Sequence, residues 1–292
     1  MNIAPCDAIV LNWRDAESTL ACAEALAAEA ECRFIWLVDN ETDGSLKRRV
    51  EASEALRGGR VRVIAEPRNL GFSSGINIGM KTSIESGAKR LLIINNDALI
   101  RRGALRRLLH VMGSDPRAGL VGPRIVNSAN EVTSNGGRFV PWRLAVEESN
   151  PTRPDFLTWA AVLLRAETIL DIGLLDERFF MYWEDVDYGL RANAAGWRLI
   201  VADEAVVEHK GGASHRQAGS RVVEYSAYGA VILAKIHRGA LIKLGAMIRI
   251  SKRLLGYAVT ADWERLRAVY RGARTALTSD VRGAAIYPRD SG

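Results

Sequence analysis

Short apolar runs alternate with longer amphipathic ones through the first third of the chain, and this alternation limits the possible folds more than any other feature. Residues 8–12, 34–39, 61–65 and 91–95 are apolar, rich in Val, Ile and Leu, and of strand length. Residues 16–30, 45–56 and 74–86, lying between them, carry apolar side chains at helical spacing. Strand and helix in turn predict β-α-β units and a mostly parallel sheet covered on both faces. Three of the strands deliver polar groups to one edge: Asn12, the pair Asp39-Asn40, and the run Asn95-Asn96-Asp97. Any one of these is what a turn after a strand looks like. Three on the carboxyl edge of one sheet point to the crevice where open α/β sheets bind ligands.

The pattern loosens over 127–156, where Asn, Ser, Gly and the prolines Pro141, Pro151 and Pro154 predict a surface loop or hairpin over that edge. Residues 158–164 resume as a buried strand, and 197–201 and 205–207 read as two more. With 292 residues and 48% hydrophobic side chains, the chain can bury a large core. Its three cysteines, Cys6, Cys22 and Cys32, are odd in number and lack Cys-x-x-Cys spacing. That excludes a disulfide framework and a zinc ribbon and fits a reducing cytoplasm. No basic region precedes the N-terminal apolar run, which Asp7 interrupts, so no signal peptide is expected. No uncharged apolar stretch approaches the ~20 residues that cross a bilayer.

Chemistry concentrates in Phe179-Phe180-Met181-Tyr182-Trp183-Glu184-Asp185-Val186-Asp187-Tyr188. The residues that follow read as a helix ending at Gly196, so the three carboxylates occupy a first helical turn, where the helix dipole favours their ionised form. Glu184 and Asp187 share a face and Asp185 points away from it. Acidic first turns commonly do no more than cap a helix. The chemical reading, a carboxylate beside aromatic rings taking a proton from a carbohydrate hydroxyl, needs partners elsewhere. In Asn69-Leu70-Gly71-Phe72-Ser73-Ser74-Gly75, two glycines permit close backbone approach, and Ser73 or Ser74 is placed to cap the following helix and leave N–H groups for an anion. The spacing matches neither a P-loop nor a dinucleotide fingerprint. Asp97, at a strand end, supplies one oxygen for a divalent cation, and His209, after the last predicted strand, supplies a nitrogen. Mixed Asp and His ligands suit Mn2+ somewhat better than Mg2+.

The ordered set Ile9-Val10-Leu11-Asn12-Trp13, Val38-Asp39-Asn40, Asn69-Leu70-Gly71-Phe72, Asn95-Asn96-Asp97, the 179–187 segment and His209 resembles the family 2 inverting glycosyltransferases, most closely their rhamnosyltransferase-like branch. The resemblance spans about residues 6–215. It implies a GT-A fold, which is Rossmann-like, a nucleotide-sugar donor (dTDP- or UDP-linked), and Mn2+ or Mg2+. It further implies that Asp39 binds the pyrimidine base in a pocket lined by Asn12, and that Asn40, Gly71, Phe72, Asn77, Asn95 and Asn96 also contact the nucleotide sugar. Asp97 and His209 become the metal ligands and Asp185 the catalytic base. Trp183, Glu184 and Trp159 become acceptor contacts, and Asp187 either joins them or holds loop geometry. The implied activity is transfer of a sugar, best matched by L-rhamnose from dTDP-rhamnose, to a saccharide or lipid-linked acceptor in bacterial surface polysaccharide synthesis. Transfer of galactofuranose or a hexosamine, or a non-catalytic carbohydrate-binding protein of the same fold, are the alternatives.

Three positions depart from the family pattern. Asn95 stands where many members carry aspartate, Trp159-Ala160 replaces a pair of small residues, and 225–238 lacks a frequent Arg-Asn pair. The domains expected are a catalytic one over 1–224, with a nucleotide-sugar half at about 1–98 and an acceptor half at about 99–224, and a basic helical extension over 225–292. The net charge is +6, yet Lys235–Arg274 holds ten Lys or Arg against Asp262 and Glu264, which is +8 and leaves −2 for the rest. This extension reads either as a basic face packed on the catalytic domain or as an anchor on an anionic cytoplasmic leaflet, with Tyr257, Trp263 and Tyr270 at the interface. Nucleic acid is not an expected partner, since no recognition motif accompanies the charge.

Overall fold

The computed structural model describes residues 4–148, 152–211 and 219–279. Pro151, Gly212 and residues 280–292 of the extension lie outside these. The expected alternation is present as β1 (Cys6–Asn12), α1 (Ala16–Ala27), β2 (Cys32–Asn40), α2 (Ser45–Ala52), β3 (Val61–Glu66), α3 (Gly71–Glu85) and β4 (Arg90–Asn95). There follow β5 (Ala98–Ile100), α4 (Ala104–Ser114), β6 (Ala118–Val126), β7 (Val132–Ser134) and the hairpin β8 (Gly137–Val140) and β9 (Ala145–Glu148). The chain continues through β10 (Ala161–Arg165), α5 (Ala166–Ile172), α6 (Glu184–Ala194), β11 (Arg198–His209), α7 (Arg221–His237), α8 (Ala240–Val259) and α9 (Trp263–Thr278).

The main sheet has nine strands in the order β3-β2-β1-β4-β10-β6-β11-β5, with β7 beside β6. Strands β3, β2, β1, β4, β6 and β11 run one way, and β10, β5 and β7 run against them. Strand β1 has β2 on one side and β4 on the other, so the chain reverses its direction of travel across the sheet there. That switch point opens the crevice between the ends of β1 and β4. One apolar core packs α1, α2 and α4 on one face, through Leu26, Leu46 and Leu108, and a second packs α3, α5 and α6 on the other, through Ile76, Ile169 and Tyr188.

Several boundaries differ from the sequence expectation. Residues 197–201 and 205–207 are one strand, β11, which accommodates Asp203–Ala205 as a bulge against β6 instead of breaking. Helix α3 begins at Gly71 with no side-chain cap, so Ser73 and Ser74 lie inside it, buried, rather than capping it. Its glycines serve protein packing: a Cβ on Gly71, whose φ is +83°, would meet the Phe180 carbonyl at 2.6 Å, and one on Gly75 would meet Leu11 at 2.5 Å. The expected boundary at 224/225 falls within α7. That helix is core, with Tyr228, Ile232 and Leu233 buried in a third cluster against Phe179, Trp183 and Val186.

Candidate active site

The carboxyl edge of the sheet and the first turn of α6 enclose a cavity of about 440 Å3. Asn40, Gly71, Phe72, Asn95, Asn96, Asp97, Trp159, Glu184, Asp185 and His209 all line it, so most of the residues singled out in the sequence converge. Asp97 and His209, 112 positions apart, meet because β5 pairs antiparallel with β11 and sets Ala98 opposite His209. The His209 Nε2 lies 3.0 Å from Asp97 Oδ1, and the Lys210 N–H donates to the Asp97 carbonyl at 3.1 Å. Asn95 brings its Nδ2 to 3.5 Å from the same His209 nitrogen, a carboxamide where a carboxylate would add charge.

At the opposite wall, Tyr182 and Trp183 have φ of 72° and 75°, an unfavourable left-handed conformation for non-glycine residues, before α6 begins at Glu184. The turn they make holds Glu184 and Asp185 at the cavity. Burial and the Asp185 charge push the Glu184 carboxyl well above the usual carboxylate range, and its Oε2 is buried with no hydrogen-bond partner. Asp185 is pushed up to about 6, by burial first and by the charge of Glu148 on β9, against the pull of the Val186 N–H, which donates to its Oδ1 at 2.8 Å. Burial thus raises both carboxyls of the pair.

Four expected site residues are not on the cavity surface. Asn12 is buried, donating to Asp39 Oδ1 at 2.6 Å and accepting from the Thr19 hydroxyl at 2.7 Å. Asp39 is buried beside it with Oδ2 unpartnered. The Asn77 carboxamide is spent inside the protein, on both backbone groups of Leu175 and on Glu177 Oε1, which holds α3 to the chain leading into the 179–187 segment. Trp183 faces α7 and α8 instead of the cavity, donating to the Ser226 carbonyl at 3.1 Å, with the Arg249 guanidinium 4.9 Å from its ring centroid. Asp187 is wholly buried and accepts from Arg191 while 2.9 Å from His237 Nε2, so it holds the α6 turn to α7. Asn40 lines the cavity yet clamps the Asn69–Gly71 turn through Leu70 N–H, Asn69 Oδ1 and the Gly71 carbonyl. Trp159 stands edge-on to Tyr188 at 5.2 Å, its buried indole N–H without a partner.

The sequence reading passed over Arg14, Arg221 and Tyr225, which also line the cavity. Tyr225 stacks on Phe180 at 4.6 Å and had been assigned to the extension. No local pattern marks these three: Arg221 and Tyr225 reach the site only through the packing of α7, and Arg14 lies between β1 and α1.

This topology and cavity are those of a glycosyltransferase of GT-A fold. Residues 4–222 match the family described as Glycosyltransferase like family 2, and the chain belongs to that family. It is 28% identical over 246 residues to the N-acetylglucosaminyl-diphospho-decaprenol L-rhamnosyltransferase of Mycobacterium tuberculosis, covering 74% of this chain and 78% of that one. It is 24% identical over 189 residues to the dTDP-rhamnosyl transferase RfbF of Shigella flexneri, covering 62% of this chain and 60% of the relative. GalNAc-T7, solved with UDP, GalNAc and Mn2+, superposes with a TM-score of 0.65 at 14% identity over 80% of this chain, which spans about half (48%) of the GalNAc-T7 chain. The mannosyltransferase PcManGT from Pyrobaculum calidifontis, solved with GDP-Man and Mn2+, gives 0.58 at 17% identity, covering 96% of this chain and 79% of that one. At such identities these structures speak to the fold.

Proposed function

We propose that this glycosyltransferase moves L-rhamnose from dTDP-rhamnose to a saccharide or lipid-linked acceptor by a single displacement that inverts the anomeric centre. The observation that carries the mechanism is the shared cavity, with Asp185 on one wall and Asp97 and His209 on the other. Asp185 accepts the proton of the acceptor hydroxyl as its oxygen bonds to the anomeric carbon and the nucleoside diphosphate leaves from the opposite side. A carboxylate with its pKa raised to about 6 suits this task, since it is ionised at neutral pH yet more basic than an exposed aspartate. Glu184, whose carboxyl burial raises, lines the cavity beside Asp185 as an acceptor contact, and the Trp159 indole offers a donor.

The donor set Asp97 and His209 fits a divalent cation, Mn2+ or Mg2+: a hard oxygen and an imidazole nitrogen converge at one point of the cavity wall. Among the described residues no cluster of three or more His, Cys, Asp or Glu surrounds that point, so Asp97 and His209 are the protein groups that would hold the ion. When bound, the cation neutralises the charge that builds on the departing diphosphate. The choice of L-rhamnose rests on the two relatives named as rhamnosyltransferases.

Incubating the protein with a panel of dTDP-, UDP- and GDP-sugars and Mn2+, and following nucleoside diphosphate release, tests donor and activity together. Release confined to a galactofuranose or hexosamine donor would replace the rhamnose assignment. A transfer product with the donor's own anomeric configuration would rule out the single displacement.

A further inference from the structure

Helix α8 packs Ile242, Ala246 and Ile250 inward on the third core cluster and leaves a second apolar stripe on its outer face. Its inward face carries Arg249, which donates to the Leu144 carbonyl at 3.1 Å and lies over Trp183, and Arg253, which reaches the Ser226 hydroxyl. Gly245 on the same face sits directly against the backbone of Pro141–Leu144. The outward face carries Leu241, Leu244, Met247, Leu255 and Val259, which are 43–78% exposed. At about 100° per residue these five fall within one arc of the helix, and Lys243 and Lys252 stand at its two borders. Helix α9 repeats the arrangement. Trp263, Tyr270 and Leu277, at i, i+7 and i+14, make one exposed line, with Arg267 and Arg274 alongside it. Among the described residues, Lys243, Lys252, Arg267 and Arg274 have no ion-pair or hydrogen-bond partner.

A helix whose outer face met water alone would carry polar side chains there in place of a line of large apolar ones. We propose that the outward faces of α8 and α9 dock on an anionic lipid bilayer, with the leucines and aromatic rings at the acyl boundary and the four free cations among the headgroups. Charge decides between this occupant and a second copy of the chain, because two copies face to face would oppose like charges. Among the described residues no helix is long and apolar enough to cross a membrane, so the surface lies on the bilayer. The inward arginines pin α8 to Trp183 and to the hairpin that brings Glu148 toward Asp185, so the docked face is fixed relative to the cavity. The inference rests on the proposed transfer to a lipid-linked acceptor and specifies the surface that meets that acceptor's membrane.

The test is flotation of the full chain with vesicles of phosphatidylcholine containing about 30% phosphatidylglycerol, against phosphatidylcholine alone, at low and high salt. Binding is expected to the anionic vesicles and to weaken as ionic strength rises. Lys243→Gln with Lys252→Gln should weaken it roughly 25-fold, at about fivefold per cation. Leu244→Glu with Leu255→Glu should abolish it, and Trp263→Ser with Tyr270→Ser reports separately on α9. All six positions are exposed, so thermal melting and sugar-nucleotide hydrolysis in solution should be unchanged. Failure to float with anionic vesicles at low salt, or equal flotation of the Leu244/Leu255 variant, overturns the proposal. So does a concentration-dependent dimer that this variant dissolves. Hydrolysis in solution reads the enzymatic assignment separately, so flotation without hydrolysis would sink that assignment and leave the surface standing.

Discussion

Replacing Asp185 with Asn should cut turnover deeply and, at the same time, stabilise the protein at alkaline pH. The carboxyl is pushed up to about 6 from an ordinary value of 3.8, chiefly because burial disfavours its charge. The folded protein therefore holds that proton more tightly than the unfolded chain does. Folding carries no penalty from this group below about pH 4, and stability falls as pH rises from 4 through 6, after which the full cost remains. Two units at about 1.4 kcal/mol each give an upper value near 3 kcal/mol, and solvent reaching the half-buried group reduces it to about 1–3 kcal/mol. Asparagine keeps an oxygen for the Val186 N–H and carries no charge. Asp185→Asn should thus melt higher than the parent at pH 8, by about 2–4 °C for each kcal/mol, and match it at pH 4. Turnover should drop about 10²–10⁴-fold with donor affinity retained. The assay pairs thermal melting of ligand-free protein across pH 4–8 with donor titration and product release. Parental turnover, or an unchanged melting temperature at pH 8, would refute the assignment of a base whose proton affinity is raised by burial.

The parent's turnover should rise with pH through about 6 as Asp185 loses its proton, in a rate profile at saturating donor and acceptor. Glu184→Gln should stay within about tenfold of parental turnover, because burial already opposes its charge and an amide keeps its shape; a loss as deep as that of Asp185→Asn would exchange their roles. Asp97→Ala and His209→Ala should each remove the thermal shift produced by Mn2+ in the presence of nucleoside diphosphate, with metal-free stability changed by less than about 1 kcal/mol. Gly71→Ala should lose about 2–4 kcal/mol in denaturant unfolding, since φ of +83° and the Phe180 carbonyl 2.6 Å from the new Cβ leave no relaxed arrangement.

The fold of the first hundred residues was legible in the sequence because its signals are local. Strand and helix periods repeat within a dozen residues, and the polar ends of β1, β2 and β4 share an edge once the strands are parallel. The acidic first turn of α6 was legible for the same reason. Asn77 and Trp183 were misread because a motif position does not say which way a side chain turns. Asn77 closes on Leu175 and Trp183 on Ser226, contacts fixed only when α3 and α7 pack. Arg221 and Tyr225 left no trace in the pattern, being brought to the cavity by a helix that belongs to the core.

From its residues alone the chain determined a β-α-β order, an edge rich in carboxamides and carboxylates, and a separate block of positive charge. Tertiary structure decided that Asp97 meets His209, that burial raises both Asp185 and Glu184, and that α8 turns its arginines inward and its leucines to solvent. These are consequences of pairing and desolvation between residues far apart in the chain, and a pattern read over one or two turns of helix contains neither.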